Sequence, residues 1–278
     1  MASTDRIDVL AVNRALIGTR FAGKLQHFAS VSSTNTLLLE AAASAAANRK
    51  SVTPEGTVYV ADEQTAGRGR GGHAWHSALG TSGKPVGLYV SALVHPELLL
   101  RDALWLSLTA GVAAHRAICE TSGVGVDIRW PNDLLLGEKK LGGILAETSA
   151  ASGPGAALHY AVIGIGINVN HATFPTELSA LATSMRVGTG HELSRQTLLI
   201  ALLRALDHEL TLLETNSPDL LARFSALSSW VRGKRVRVPE QGGYTGRTAG
   251  LDERGFLLVD CDDGVRRTVL SGGVREAE

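Results

Sequence analysis

Three β-rich stretches lie close together in the middle of the chain: "VDIRWPNDLLL", "KKLGGILAETS" and "HYAVIGIGINV". The turn "GEKK", whose lysines already open the second, joins the first two and is far too short to hold a crossover helix. Strands joined in that way run antiparallel, so a purely βαβ doubly wound sheet is excluded. Strand patterns also occur earlier, at "KLQHFASV", "TVYVADE" and "VGLYVSALV". Helical patterns alternate with them. Residues 1–23 read as a short helical lead-in, and "SSTNTLLLEAAASAAANR" opens on Ser/Thr caps. After the loop "SVTPEG", the longest helical pattern is "PELLLRDALWLSLTAGVAAHRAIC", with Pro96 near its start and Gly123 after its end. Two further helices follow at "SRQTLLIALLRALDHELTLLE" and "PDLLARFSALSSW". From about Lys234 the pattern changes to short strands with glycine turns. The expectation is an α+β chain with a mixed, largely antiparallel sheet over residues 1–230 and a small β-barrel over 231–278.

At 278 residues such a chain buries roughly 75% of its unfolded surface, so it needs no disulfide or metal to stabilise its core. Lys+Arg 27 balance Asp+Glu 27, which argues against a surface built throughout for nucleic acid but not against a local basic site. The two cysteines, Cys119 and Cys261, have no metal-ligand or CxxC spacing and read as buried or incidental thiols. Nine histidines without HExxH or HxH pairing argue against a protein-built metal site. No signal-peptide core and no apolar run of transmembrane length is present, so the expected compartment is the cytoplasm.

The stretch "ADEQTAGRGRGGHAW" contains G-x-G-x-x-G at Gly67, Gly69 and Gly72. A dinucleotide fingerprint requires a helix directly after these glycines and an acidic residue about 20 positions on. Here "HAWHSALGTSGKPVG" carries no helical stripe, so the match is a coincidence. "GTRFAGKL" is a chance near-match to a P-loop, with Leu25 where a hydroxyl must reach magnesium. Arg68 and Arg70 among glycines that allow close approach suit the binding of a small anion, although a solvated basic turn would have the same composition. Three other segments repeat this theme of polar groups at strand ends beside glycines. These are Asn132 and Asp133 in "RWPNDLLL", Lys140 with Gly142 and Gly143 in "KKLGGILAE", and Asn168 after Gly164 and Gly166 in "GIGINVN".

Together, "SSTN", "QTAGRGRGGHAW", "RWPNDLLLGEKKLGGILAE" and "IGIGINVN" resemble the biotin–protein ligase (biotin–[acetyl-CoA-carboxylase] ligase) family in order and spacing, over residues 25–278. The resemblance implies a catalytic domain related to class II aminoacyl-tRNA synthetases, followed by an SH3-like C-terminal barrel. It implies ATP and biotin as substrates with Mg²⁺, a biotinyl-5′-AMP intermediate, and transfer to a lysine of the biotin carboxyl carrier domain of an acetyl-CoA or related acyl-CoA carboxylase. By family position, Lys140 bridges the biotin carboxylate and the α-phosphate, and Arg68 and Arg70 hold the phosphate and carboxyl end. Ser33, Thr34 and Gln64 bond the ureido ring, and Gly67 and Gly143 leave room for the bicycle. Asn132, Trp75 and Asn168 fall in the adenylate-binding set, Trp75 chiefly as the loop's packing anchor. Asn132 and Asp133 orient the attacking amine, with Asp133 as its proton acceptor. No residue is assigned to metal.

The family loop is usually more basic. Here Gly71 and His73 replace basic residues, and His73 either supplies a pH-dependent charge or points outward. Only 32 residues precede Ser33, too few for a DNA-binding domain of about 50–60 residues. The expectation is therefore a monofunctional ligase that binds neither nucleic acid nor membrane, as a monomer or weak homodimer. Lipoate–protein ligation and a biotin-responsive DNA regulator are the alternatives.

Overall fold

The computed structural model of the chain describes residues 6–47, 53–153, 155–215, 217–240 and 242–277. The start of the expected lead-in (1–5), the tail of its following helix pattern (48–50) and part of the "SVTPEG" loop (51–52) lie outside them. The elements run α1 (Val9–Ala15), β1 (Leu25–Val31), α2 (Thr34–Ala47), β2 (Val58–Gln64), β3 (Gly87–Val94), α3 (Leu104–Ser122), β4 (Asp127–Arg129), β5 (Asp133–Leu136), β6 (Lys139–Ala150) and β7 (Leu158–Asn168). There follow α4 (Thr176–Ser179), α5 (Met185–Thr189), α6 (Arg195–Thr215), α7 (Ser217–Ala226), β8 (Arg232–Val238), β9 (Tyr244–Leu251), β10 (Leu257–Cys261), β11 (Arg266–Val269) and β12 (Arg275–Glu276).

Seven strands form one mixed sheet in the order β1-β2-β3-β7-β6-β5-β4, in which only β1 and β2 run parallel. The expected α+β class with a largely antiparallel sheet is what the chain adopts. Strand alternation sends Val90, Ala92, Ile144, Ile163 and Ile165 into the main core, on the side where α3 and α6 pack against each other and the sheet. Leu93 and Val162 point to the opposite side and pack with Leu38 and Ala42 of α2. The second sheet is five-stranded and antiparallel, in the order β11-β10-β9-β8-β12. Its buried Val236, Val238, Leu257 and Val259 belong to the same apolar cluster as α3 and α7.

Two sequence expectations change. The helix of the longest helical pattern begins at Leu104 and not near Pro96, so that its 19 residues fall short of the 21 of α6. Residues 98–100 are instead engaged with 156–158, through Leu100 N donating to Ala156 O (2.8 Å) and Leu158 N to Leu98 O (2.9 Å). Tertiary pairing therefore overrides a good helical pattern. The "RWPND" motif also does not end one continuous strand. Asp127–Arg129 and Asp133–Leu136 pair as a hairpin of their own, because Pro131 cannot donate to a ladder and turns the chain there. The near-P-loop at residues 18–25 runs through turns into β1, which Leu25 begins, and its Lys24 Nζ donates to the carbonyls of Arg20 and Glu55.

Two tryptophans of the larger unit donate to the turn between β9 and β10. Trp130 Nε1 reaches Gly255 O at 2.9 Å in a buried setting, and Trp105 Nε1 reaches Arg254 O at 2.9 Å near the surface. Trp130→Phe leaves the Gly255 carbonyl without its donor and is expected to cost about 1–3 kcal/mol. Trp105→Phe, open to water, is expected to cost less. Urea unfolding of both variants checks this, and equal losses would show that burial does not set the cost.

Candidate active site

The site follows from register. Cross-strand partners share a face, and one row across the large sheet reads Tyr89 (β3), Gly166 (β7), Gly143 (β6), Asp133 (β5) and Arg129 (β4). The next row toward α2 reads Ser91, Gly164 and Leu145. The glycines leave a trough with polar walls. The indole of Trp75 lies in it, so close that a Cβ at Gly166 would stand 2.7 Å from its Nε1. The glycine is required here by space.

Lys140 reaches this face through an irregularity. Leu134 pairs with Gly142, but Leu135 pairs with Lys140, so Leu141 is an extra residue on β6. Such a bulge re-aims a side chain. Residues 140 and 143 would point to opposite faces of a regular strand, yet here Lys140 Cε would contact a Cβ on Gly143 at 3.4 Å. The backbone of Lys140 is pinned from the other side, its N donating to Leu181 O (2.8 Å) and its O accepting from Thr183 N (3.0 Å). Its Nζ lies 2.5 Å from Asp133 Oδ1 and 5.4 Å from the centre of the Trp75 ring. Arg129 holds the other carboxylate oxygen of Asp133 through Nη2 (2.6 Å) and Nε (3.2 Å). Burial pushes the Asp133 carboxyl up, but Lys140 and Arg129 outweigh it and hold it below the usual carboxylate range.

At the other end of the trough, α2 begins. Ser33 caps it, its Oγ accepting from Thr36 N at 3.4 Å. Thr34 donates through both N (2.8 Å) and Oγ1 (3.1 Å) to Gln64 Oε1, and Gln64 Nε2 donates to Ser77 Oγ at 3.0 Å. Above lies the glycine–arginine loop. After β2 the chain makes a single 3₁₀ turn over Arg70–Gly72 and returns extended, with Gly69 N donating to His73 O (2.7 Å) and Trp75 N to Gly67 O (2.9 Å). The helix that a dinucleotide fingerprint requires does not follow the glycines. Arg68 pairs with Glu147 at 2.7 Å. Arg70 donates to the carbonyl of Gly272, beyond β11. Burial draws its guanidinium below the usual value, opposed by Glu240 and Asp133.

Ser33, Thr34, Gln64, Arg68, Arg70, Trp75, Asn132, Lys140 and Gly143 thus line one cleft. Its open space, mouth and adjoining solvent included, is about 460 Å³. Gly67 is buried under the loop as the acceptor for Trp75 N. Asn168 stands apart. It ends β7, and its Nδ2 donates to Thr183 O at 3.0 Å, which ties it to the segment that pins Lys140. His73 is exposed. Sequence reasoning passed over Arg129, Asn35, Tyr89, Ser91 and Glu147. Arg129 stands inside the quoted "RWPND" motif, and Asn35 inside "SSTN". No local signal marks Ser91 or Tyr89, which join the site only through β3 register.

Beside the site, His171 is 4% exposed, stacks on Phe174 at 5.1 Å and faces His76 at 6.3 Å. Burial, reinforced by His76, lowers its pKa to about 4. The folded chain refuses a proton that the unfolded chain accepts near 6.5. Stability from this group is therefore complete above pH 6.5 and is lost as pH falls toward about 4. His171→Leu is expected to remove up to roughly 3 kcal/mol of that acid-side loss. Urea midpoints from pH 7 to 4 check this, and parallel curves for both proteins would contradict it.

Residues 27–168 match the Biotin/lipoate A/B protein ligase family, and residues 232–274 match the Biotin protein ligase C terminal domain. The chain is 35% identical over 218 residues to the bifunctional ligase/repressor BirA of Bacillus subtilis, covering 77% of this chain and 64% of that protein, so it spans less than two thirds of that relative. It is 33% identical over 255 residues to the biotin–[acetyl-CoA-carboxylase] ligase of Mycobacterium tuberculosis, covering 90% of this chain and 87% of that one. Its structure resembles the biotin protein ligase of Aquifex aeolicus in complex with biotin and ATP, with a TM-score of 0.75 at 29% identity over 92% of this chain and 100% of the other. A family match over half the chain, together with a relative one third identical along most of its length, places the chain in the biotin/lipoate A/B protein ligase family, among the biotin protein ligases.

Proposed function

We propose that the chain ligates biotin to a lysine of a biotin carboxyl carrier domain, using ATP, through biotinyl-5′-AMP. One observation carries the reading. A single cleft joins an uncharged polar end (Ser33, Thr34, Gln64) to an end with three cations (Lys140, Arg68, Arg70). That polarity suits a ligand with a neutral, hydrogen-bonding head and an anionic tail. The biotin carboxylate attacks the α-phosphate of ATP and pyrophosphate leaves. The acceptor amine then attacks the carbonyl of the mixed anhydride, and AMP leaves. Two anions must approach in the first step, so fixed positive charge is the main requirement. Lys140 supplies it between carboxylate and α-phosphate, and Arg68 and Arg70 supply it from the loop that shields the anhydride from water.

Asp133 suits the task of holding Lys140 better than that of accepting a proton, because a carboxylate kept below its usual range is a weak base. Asn168 would meet the AMP portion through the segment it ties to Lys140. Among the described residues no three His, Cys, Asp or Glu side chains converge on one point. Mg²⁺ is read as held by the phosphates of ATP, as part of that substrate. Residues 231–278 are read as a separate C-terminal domain of SH3-like type. The acceptor is read as the carrier of an acetyl-CoA or related acyl-CoA carboxylase, and the place of action as the cytoplasm, for a monomer or weak homodimer. No helix among the described residues is long and apolar enough to cross a membrane.

Incubation with ATP, Mg²⁺ and either biotin or lipoate, followed by pyrophosphate exchange and labelling of a carrier domain, tests the reading. Activation of lipoate alone would overturn it. Lys140→Ala is expected to lower biotin-dependent exchange by at least ~100-fold with the fold retained. Arg68→Gly and Arg70→Gly are expected to speed escape of biotinyl-AMP, seen as labelling of bystander proteins.

A further inference from the structure

Arg68 touches two side chains. Its Nη2 donates to Glu147 Oε1 at 2.7 Å and its Nη1 to Thr36 Oγ1 at 3.3 Å. An arginine has five N–H groups, so these two bonds leave three for an anion while fixing the plane of the guanidinium. Glu147 lies on β6 and is only partly exposed, and its other oxygen accepts from Asn35 Nδ2 at 3.0 Å. Asn35 is itself immobilised. It is buried over Gly164, where a Cβ would stand 2.2 Å from its Oδ1, and its Nδ2 also reaches Leu145 O at 3.2 Å.

The chain of contacts continues. Ser91 Oγ lies 2.6 Å from Asn35 Oδ1 and 2.8 Å from Thr34 Oγ1, both of them acceptors for it. A hydroxyl has one proton to give. Ser91 can therefore serve Thr34 or Asn35 at any moment, and a ligand bonded to Thr34 biases that choice. A path of contacts thus runs Gln64–Thr34–Ser91–Asn35–Glu147–Arg68, with Ser91 as the point where it switches.

We propose that Glu147 is a positioning residue. It orients Arg68 toward the anionic tail of the substrate and, through Asn35 and Ser91, couples that arginine to occupancy of the polar end at Thr34. This rests on the reading of the cleft as a biotin site. Glu147 is no catalytic residue, because it approaches the substrate only through Arg68.

The test is a double-mutant cycle on the full chain, with Glu147→Gln, Arg68→Ala and the two combined. Biotin affinity is read by titration calorimetry, biotinyl-AMP release by stopped flow, ATP affinity in parallel and folding by thermal unfolding. Glu147→Gln is expected to weaken biotin binding about tenfold and speed biotinyl-AMP release by a similar factor, the size of one lost charge-assisted hydrogen bond. ATP affinity should stay within about twofold and the fold should be retained. On the Arg68→Ala background the same change should have less than about a twofold effect. Glu147→Asp, which keeps the charge, should recover part of the loss. A tenfold effect on both backgrounds, or equal losses for biotin and ATP, would overturn the proposal while leaving biotin ligation standing. A wild-type chain that neither binds biotin nor forms the adenylate would overturn both.

Discussion

A packed sheet face can hold a ligand only where its side chains are missing, and the whole site depends on that. Gly143, Gly164 and Gly166 occupy adjacent positions on β6 and β7, where ordinary alternation would place bulk against α2. Their absence of bulk admits Trp75 and Asn35 onto the backbone itself. The walls then come from neighbouring strands at the same level, Tyr89 and Ser91 on one side, Asp133 and Arg129 on the other. Most other features of the cleft are placed with reference to this hollow, including the loop that spans it.

The charges around the hollow are already matched. Lys140 rests on Asp133, Asp133 on Arg129, Arg68 on Glu147, and Arg70 on the backbone carbonyl of Gly272, between β11 and β12. Partly exposed pairs of this kind contribute little to stability. Their value lies in keeping each cation in a defined place at small desolvation cost, so that an arriving anion exchanges partners without having to order a flexible side chain. The same economy of motion explains why the lysine is pinned through its backbone on both sides.

Much of this was legible in the sequence, and the gaps have physical causes. The short "GEKK" turn announced the antiparallel hairpin, and the glycine-flanked polar motifs announced the cleft, because both signals are local. The start of α3 is not legible, because the 98–100 segment is held by residues 156–158, a pairing that no local propensity reports. The fingerprint-like glycines were correctly set aside, since the residues after them lack helical spacing. Ser91 and Glu147 escaped notice for another reason. Each looks like an ordinary strand residue, and only the register of β3 against β7 and of β6 against β7 brings them to the cleft.

The single extra residue on β6 has a further implication. Leu141 is fully buried, and its place as the extra residue of a bulge sets the side from which Lys140 projects. The same four residues paired without the bulge would still read Lys140, Leu141, Gly142, Gly143, and a motif search would still accept them. Their lysine, however, would point away from Gly143, to the other face of the sheet. For this stretch, then, register carries as much of the chemistry as residue identity does.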